Sequence, residues 1–237
     1  MKIIFIMIFV IFEEFGMYEN NLYETIATTI SYRDKMKIPN AASIGIRIIS
    51  DDLIQIKSYF HSQTYRNIKT NNVVAFNLIE DIYQFALASL KNTNDIDLKG
   101  IPDNQFLYYS LKDDDHIFEI PYLKNSWGVI FCNLSHEREI NNKDSLGQII
   151  ASEFKFIVLD TKKLKESFKT FNRAENLALE VIILATRIKV AKENKNEIIY
   201  SMINEKIQNN LTIIEKLSKS EKIFKTINLV KKFINSL

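Results

Sequence analysis

Residues 60–81 read FHSQTYRNIKTNNVVAFNLIED. The first eight gather an imidazole, a guanidinium and several hydroxyl and amide side chains between the alternating run LIQIKSYF (53–60) and the apolar run VVAFNLI (73–79). Runs of this length, rich in Ile, Val, Phe and Tyr, read as strands, so the polar octet reads as the end of one strand and the turn toward the next. Arg66 stands out in a chain with 25 lysines and 6 arginines. A guanidinium offers five donors in a rigid fork that suits a phosphate or carboxylate, which an ammonium cannot copy. Ser62, Thr64 and Tyr65 add hydroxyls and Asn67 an amide, enough with backbone N–H groups to hold a dianion without a glycine-rich loop. The same side chains would serve equally well in a polar hairpin that bonds its own backbone, and the stretch alone leaves both readings open.

Outward from this stretch, short β-rich runs fill residues 23–160, among them ETIATTI, ASIGIRII, SWGVIFCNL and FKFIVL. Their turn-like separators predict an antiparallel barrel or sandwich rather than alternating βαβ units. The texture then changes. FNRAENLALEVIILATRIKVA (171–191) carries Ala174, Leu177, Ala178, Val181, Ile182, Ala185 and Ile188 at helical spacing, with Asn172 as N-cap and Glu175 closing a capping box. Further apolar stripes follow through Ile199, Ile203, Ile207, Leu211, Ile214 and Leu217, and through Phe224, Ile227, Val230, Phe233 and Ile234. The expected organisation is an apolar N-terminal extension (1–16), a β-barrel (17–160) and a C-terminal helical module (161–237).

The extension opens MKIIFIMIFVIF, an apolar run too short to span a bilayer, which needs about 20 residues, and not followed by a small-x-small cleavage site. A buried strand, a membrane-associating tail and an early translation start, with Met7 and Met17 as later ones, all fit; an extension outside the main fold is the expectation. No integral membrane span is expected. A net charge of +2 does not advertise nucleic acid as a partner. One cysteine, Cys132, cannot form an internal disulfide, so a buried, inert thiol in a reducing, cytoplasmic setting is expected. His61, His116 and His136 are far apart and at no metal-ligand spacing, and no common nucleotide or hydrolase motif is present, so no metal and no catalytic side chain are assigned.

Four blocks in order resemble an archaeal family of flavoproteins, the DUF447 family. They are YETIATT (23–29), NAASIGIRI (40–48), residues 60–81, and FNRAENLALEVIILATRI (171–188). The resemblance covers most of residues 17–188 and implies an α+β fold: a flavin-reductase-like, FMN-binding split β-barrel with a C-terminal helical module. It further implies a homodimer with FMN near the subunit interface and an unknown small-molecule substrate. On that basis Ser62, Thr64, Tyr65, Arg66 and Asn67 would meet the phosphate and ribityl end. Asn40, Ser43 and Gly45 would border the isoalloxazine ring, Ser43 standing at a place the family associates with proline. Asn77 would be a further contact, or would satisfy a buried edge. His61 would face away if Ser62 faces the ligand, because strand side chains alternate. Arg173 and Arg187 are second-line candidates for the cofactor or the partner subunit. The implied function is a flavin-dependent oxidoreductase acting on a small molecule; the alternative is a non-catalytic FMN-binding or redox-carrier protein whose helical module docks a partner.

Overall fold

The structure is a computed structural model that describes residues 12–19, 22–34, 36–60, 62–92, 95, 98–113, 116–144, 147–167, 173–218 and 220–237. Among the described residues eight strands are formed: β1 (Leu22–Arg33), β2 (Met36–Ser50), β3 (Leu53–Tyr59), β4 (Val73–Leu78), β5 (Phe106–Asp113), β6 (His116–Leu123), β7 (Gly128–Asp144) and β8 (Gly147–Lys163). Six of them close into a barrel in the order β1-β2-β3-β8-β7-β4, while β5 and β6 form a separate two-stranded sheet. The expectation of a barrel holds.

Alternation decides what fills it. Along β2, Ile46 and Ile48 point inward with Ile54 and Ile56 of β3, Val74 and Phe76 of β4 and Phe154 and Phe156 of β8. Ser43, Gly45 and Arg47 occupy the intervening, outward positions. β4 breaks this pattern because all six of its residues are buried. Its outward side chains Val73 and Ala75 lie with Val129 and Phe131 beneath Ile120, Tyr109 and Tyr122 of the β5–β6 hairpin. A strand covered on both faces is apolar throughout, hence the unbroken run VVAF. Tyr109 stacks on Phe131 at 4.2 Å between ring centroids, donates its hydroxyl to Asp160, and carries the Lys162 ammonium 4.0 Å above its ring. Cys132 is fully buried in the barrel, and that burial pushes its thiol pKa up, away from the reactive thiolate.

Residues 12–16 do not lie outside the main fold. Phe12, Phe15 and Met17 belong to the barrel's own buried cluster. A side chain at Gly128 would come within 2.6 Å of the Phe15 ring, so the missing Cβ is what lets Phe15 seat there, 5.6 Å from Trp127. Residues 1–11 fall outside the described residues.

The chain divides into two compact units, and the second takes Glu80–Pro102, Lys143–Ile149 and Phe168–Leu237. β8 runs on to Lys163, past residue 160, and a segment between β4 and β5 groups with the helices. Four helices of the second unit are described, and in the chain they follow α1 (Gln63–Asn71) of the barrel unit. They are α2 (Ile82–Ser89), α3 (Arg173–Glu193), α4 (Glu197–Leu217) and α5 (Glu221–Asn235). Helix α2 starts at Asp81, whose carboxylate accepts the Tyr83 N–H at 3.0 Å. Most of each apolar stripe read from the sequence is buried: Ala174, Ala178, Val181, Ile182, Ala185 and Ile188 on α3, Ile203, Ile207, Leu211 and Ile214 on α4, and Ile227, Val230 and Phe233 on α5; Leu177, Ile199, Phe224 and Ile234 are half-buried, and Leu217 at the end of α4 is exposed. Asn172, the expected cap of α3, lies outside the described residues. No described helix is long and apolar enough to cross a membrane.

Candidate functional site

β3 and β4 are not neighbours in the barrel, so the chain must cross its end between them. It does so as a helix, α1 (Gln63–Asn71). Reading 60–67 as strand and turn is thus corrected. The chain turns where the Ser62 N–H donates to the Tyr59 carbonyl at 3.0 Å, and the Ser62 hydroxyl then accepts the Tyr65 N–H at 3.0 Å as an N-cap. Asn72 ends the helix in the left-handed region at φ 60°. The inward stripe is Thr64, Asn67 and Ile68, spaced as a helix requires. Because two of the three are polar, a hydrophobicity pattern does not reveal it.

Helical geometry sorts the candidate residues in a way strand alternation does not. Thr64 and Asn67 are buried and tied to the barrel: Asn67 donates to the Thr29 hydroxyl at 3.0 Å, and Asn40 donates to the Thr64 hydroxyl at 3.1 Å. Gln63 donates to the Asn67 side-chain oxygen, Oδ1, at 2.6 Å. Thr29 and Asn40 are paired across β1 and β2, so this network fixes the start of α1 to that hairpin. Tyr65 lies against Phe60 and Phe154, at 4.9 and 5.6 Å, and burial followed by the nearby Glu137 carboxylate pushes its pKa up. Burial works against the charge on Glu137, but hydrogen bonds from Lys69 and Ser152 outweigh it and hold its carboxyl below the usual range. Ser62 also sits 3.2 Å from the Ser58 hydroxyl.

Arg66 is exposed on the first turn of α1 and donates to Gln63 at 3.3 Å. No acidic residue occupies that turn. The helix N-terminus therefore combines backbone N–H groups, the positive end of the dipole and a guanidinium, the arrangement that receives an anion.

Ser43 and Gly45 sit elsewhere, on the outward face of β2 that β3 shares through Gln55, Lys57 and Tyr59. Tyr59 is 61% exposed, three residues before the cap of α1. A groove of about 360 Å³ opens on this face around Gly45, with Glu24, Arg47, Gln55 and Lys57 along its walls. A side chain at Gly45 would meet the end of the exposed Leu22 side chain at 3.1 Å and the Glu24 carboxylate at 3.6 Å, with no backbone among its nearest neighbours, so the glycine flattens the groove floor rather than relieving a backbone clash. Asn40 points the other way, toward α1.

Asn77 is brought to neither place. It is fully buried, its amide donates to the Ile26 carbonyl at 2.8 Å and the Thr28 hydroxyl at 2.9 Å, and its oxygen accepts the Leu123 N–H at 2.7 Å and the Ser126 hydroxyl at 3.1 Å. It is a staple inside the fold, and the buried-edge reading applies. His61 lies outside the described residues. Arg173 is exposed at the start of α3 and Arg187 half-buried along it. Sequence reasoning missed Thr29, Tyr59 and Arg47. Thr29 carried no signal beyond its place in an apolar run, whereas Tyr59 and Arg47 were readable as the wet positions of alternating strands. Among the described residues no cluster of His, Cys, Asp and Glu could hold a metal ion.

The class of protein is a closed antiparallel β-barrel with a capping helix between non-adjacent strands and a further unit of helices. The chain belongs, more narrowly, to the family described as a protein of unknown function (DUF447), N-terminal domain, which matches residues 23–141. An uncharacterized protein of Methanocaldococcus jannaschii, MJ1453, is 26% identical over 192 residues, 77% of this chain and 84% of that protein. The crystal structure of the FMN-bound protein MM1853 from Methanosarcina mazei, of the same family, superposes with a TM-score of 0.69 at 21% identity, over 93% of this chain and 98% of that one. A flavin reductase domain protein from Arthrobacter has a TM-score of 0.44 at 10% identity, over 67% of this chain and 86% of that one.

Proposed function

We propose that this chain binds FMN noncovalently, its phosphate at the N-terminus of α1 and its ring on the outward face of β2 and β3. The observation that carries the reading is the first turn of α1: capped by Ser62, free of acidic residues and bearing Arg66. These groups fit a phosphate dianion, and the FMN-bound member of the family supports the choice of anion. Ser62 and Arg66 would hold the phosphate. Thr64, Asn67 and Asn40 act behind them by anchoring the helix. Ser43 and Gly45 would border the ring, because the outward face that carries them runs along β3 toward the cap of α1.

FMN when bound supplies two-electron redox chemistry at its N5, so the protein's task is to bind, orient and shield it. That matches a site without a paired acid and base. We read the protein as an oxidoreductase acting on a small molecule, working as a cytoplasmic homodimer with flavin near the subunit interface. The test is the absorption spectrum of the purified protein, followed by reduction with NADH or NADPH and reoxidation by a candidate acceptor. Bound flavin that turns over supports the enzyme. Flavin that is reduced without turnover on any donor and acceptor pair supports the redox-carrier reading, and a colourless protein that ignores added FMN defeats both.

A further inference from the structure

Helix α4 has two apolar faces. One is the buried stripe of Ile203, Ile207, Leu211 and Ile214, along which α4 packs on α3. The other consists of Ile198, Met202, Ile213 and Leu217, all exposed, Ile198 at 76% and Met202 at 56%. At about 100° per residue these side chains fall within one sector, centred about a third of a turn from the buried stripe. A single exposed apolar residue is ordinary, but a set of them sharing one sector along the whole of a helix points to a surface that docks something.

The spacing says what. The exposed stripe is two rows of i, i+4 positions, Ile198, Met202 and Lys206 in the first and Asn209, Ile213 and Leu217 in the second. Turned end for end about a point midway between Ile207 and Gln208, the first row maps onto the second: Ile198 onto Leu217, Met202 onto Ile213 and Lys206 onto Asn209. An antiparallel copy of the helix therefore meets each apolar residue with another and, at the centre, each ammonium with an amide oxygen. Rows of i, i+4 positions incline to the helix axis, so two such stripes coincide when the helices cross as interdigitating ridges do. A twofold contact demands this property, because one patch must fit itself. The charge does not suit a lipid surface. α4 carries Glu197, Glu205 and Glu215 against Lys206 and Lys216, whereas helices that lie on membranes have basic polar faces.

We propose that the exposed face of α4 is an interface with a second copy of this chain, the two helices antiparallel about a twofold axis between Ile207 and Gln208. The contact rests on no part of the flavin reading, since all its residues belong to the helical unit.

Cysteine cross-linking of the full-length protein tests it, with Met202→Cys, Ile213→Cys and the double variant under mild oxidation. Both side chains are exposed, so the substitutions leave the core intact, and the native Cys132 is fully buried and keeps the background low. In the proposed pairing position 202 stands opposite position 213 of the second copy, while the two copies of position 202 lie about 16 Å apart along the axis. The double variant is therefore expected to form disulfide-linked dimers several-fold faster than either single variant, and peptide mass spectrometry is expected to find the linkage between positions 202 and 213. Met202→Glu and Ile213→Lys should each lower self-association in sedimentation velocity, and the two together should restore it, because each carboxylate then faces an ammonium. FMN affinity should stay at the parent value throughout, which tells a failure of this contact from a failure of the flavin reading. A double variant that cross-links no faster than the single ones, a dominant linkage of either position to its own copy, or charge variants that associate like the parent would overturn the proposal.

Discussion

Two polar knots in the barrel use nearly the same residues and do different work. Asn77 with Thr28 and Ser126 is wholly enclosed beneath the β5–β6 hairpin, and both ends of its amide are spent on β1 and on the chain from Leu123 to Ser126. Asn67, Asn40 and Thr64 at the barrel's end are tied to Thr29 in a similar way, yet the helix they anchor leaves Ser62 half-buried and Arg66 exposed. Side-chain type is common to both knots. Burial and the backbone beneath them differ, and only the knot at a helix N-terminus has an outward field to offer.

The comparison breaks first at Asn77. Asn77→Leu leaves the buried Leu123 N–H and Ser126 hydroxyl without their acceptor, so it should destabilise the protein by about 3 kcal/mol in urea unfolding. The flavin affinity of the folded protein should not change. A flavin defect in a variant of near-normal stability would move Asn77 back to the ligand.

Arg66 should behave in the opposite sense. Arg66→Ala should weaken FMN binding by about 1.5–3 kcal/mol, the worth of a charge-assisted hydrogen bond. Apoprotein stability should move by no more than about 0.5 kcal/mol, as for an exposed surface site. Fluorescence titration of the apoprotein reads the first and urea unfolding the second. Unchanged affinity would reassign Arg66 to the solvated surface.

Ser62 separates the two roles within one residue. Ser62→Ala should cost about 1 kcal/mol of stability through the lost cap. Ser62→Asp keeps a good cap, so its stability should stay near the parent value, but it sets a negative charge where the phosphate would bind and should weaken FMN. An Asp variant that binds FMN as well as the parent would place the phosphate elsewhere.

The smallest effect concerns the hairpin over Asn77. The hydrogen bond to Asp160, with burial behind it, pushes the Tyr109 pKa from 10 up to about 12. The unfolded chain would ionise first, so this group's contribution is whole below about pH 10 and is lost as pH rises toward 12. Stability should decline over that window, and Tyr109→Phe should flatten the decline. Slopes of urea midpoints from pH 9 to 11.5 that are identical in the two proteins would show that Tyr109 does not fasten the hairpin.

Much of the fold was legible because it follows from periodicity. Alternation in β2 and β3 places Ile46, Ile48, Ile54 and Ile56 in the core, and the stripe from Ala178 to Ile188 marks the buried face of α3. What was not legible involves a polar stripe or a distant cover. Helix α1 escaped notice because Thr64 and Asn67 face inward, helix α2 because its apolar run IYQFALAS follows directly on a strand, and the N-terminal segment because Phe15 needs the gap at Gly128 to be seated.

For the candidate site, the sequence by itself determined which groups are available: an arginine rare for this chain, a capping serine and a cluster of amides, all within residues 60–67. Only the tertiary structure decided which of them face out. The crossing from β3 to β4 is made by a helix, and a helix turns each side chain about 100° from the last, where a strand would alternate them. That rotation buries Thr64 and Asn67 and leaves Arg66 in solvent. Asn77 shows the same rule from the other side, because its enclosure depends on a hairpin more than forty residues along the chain.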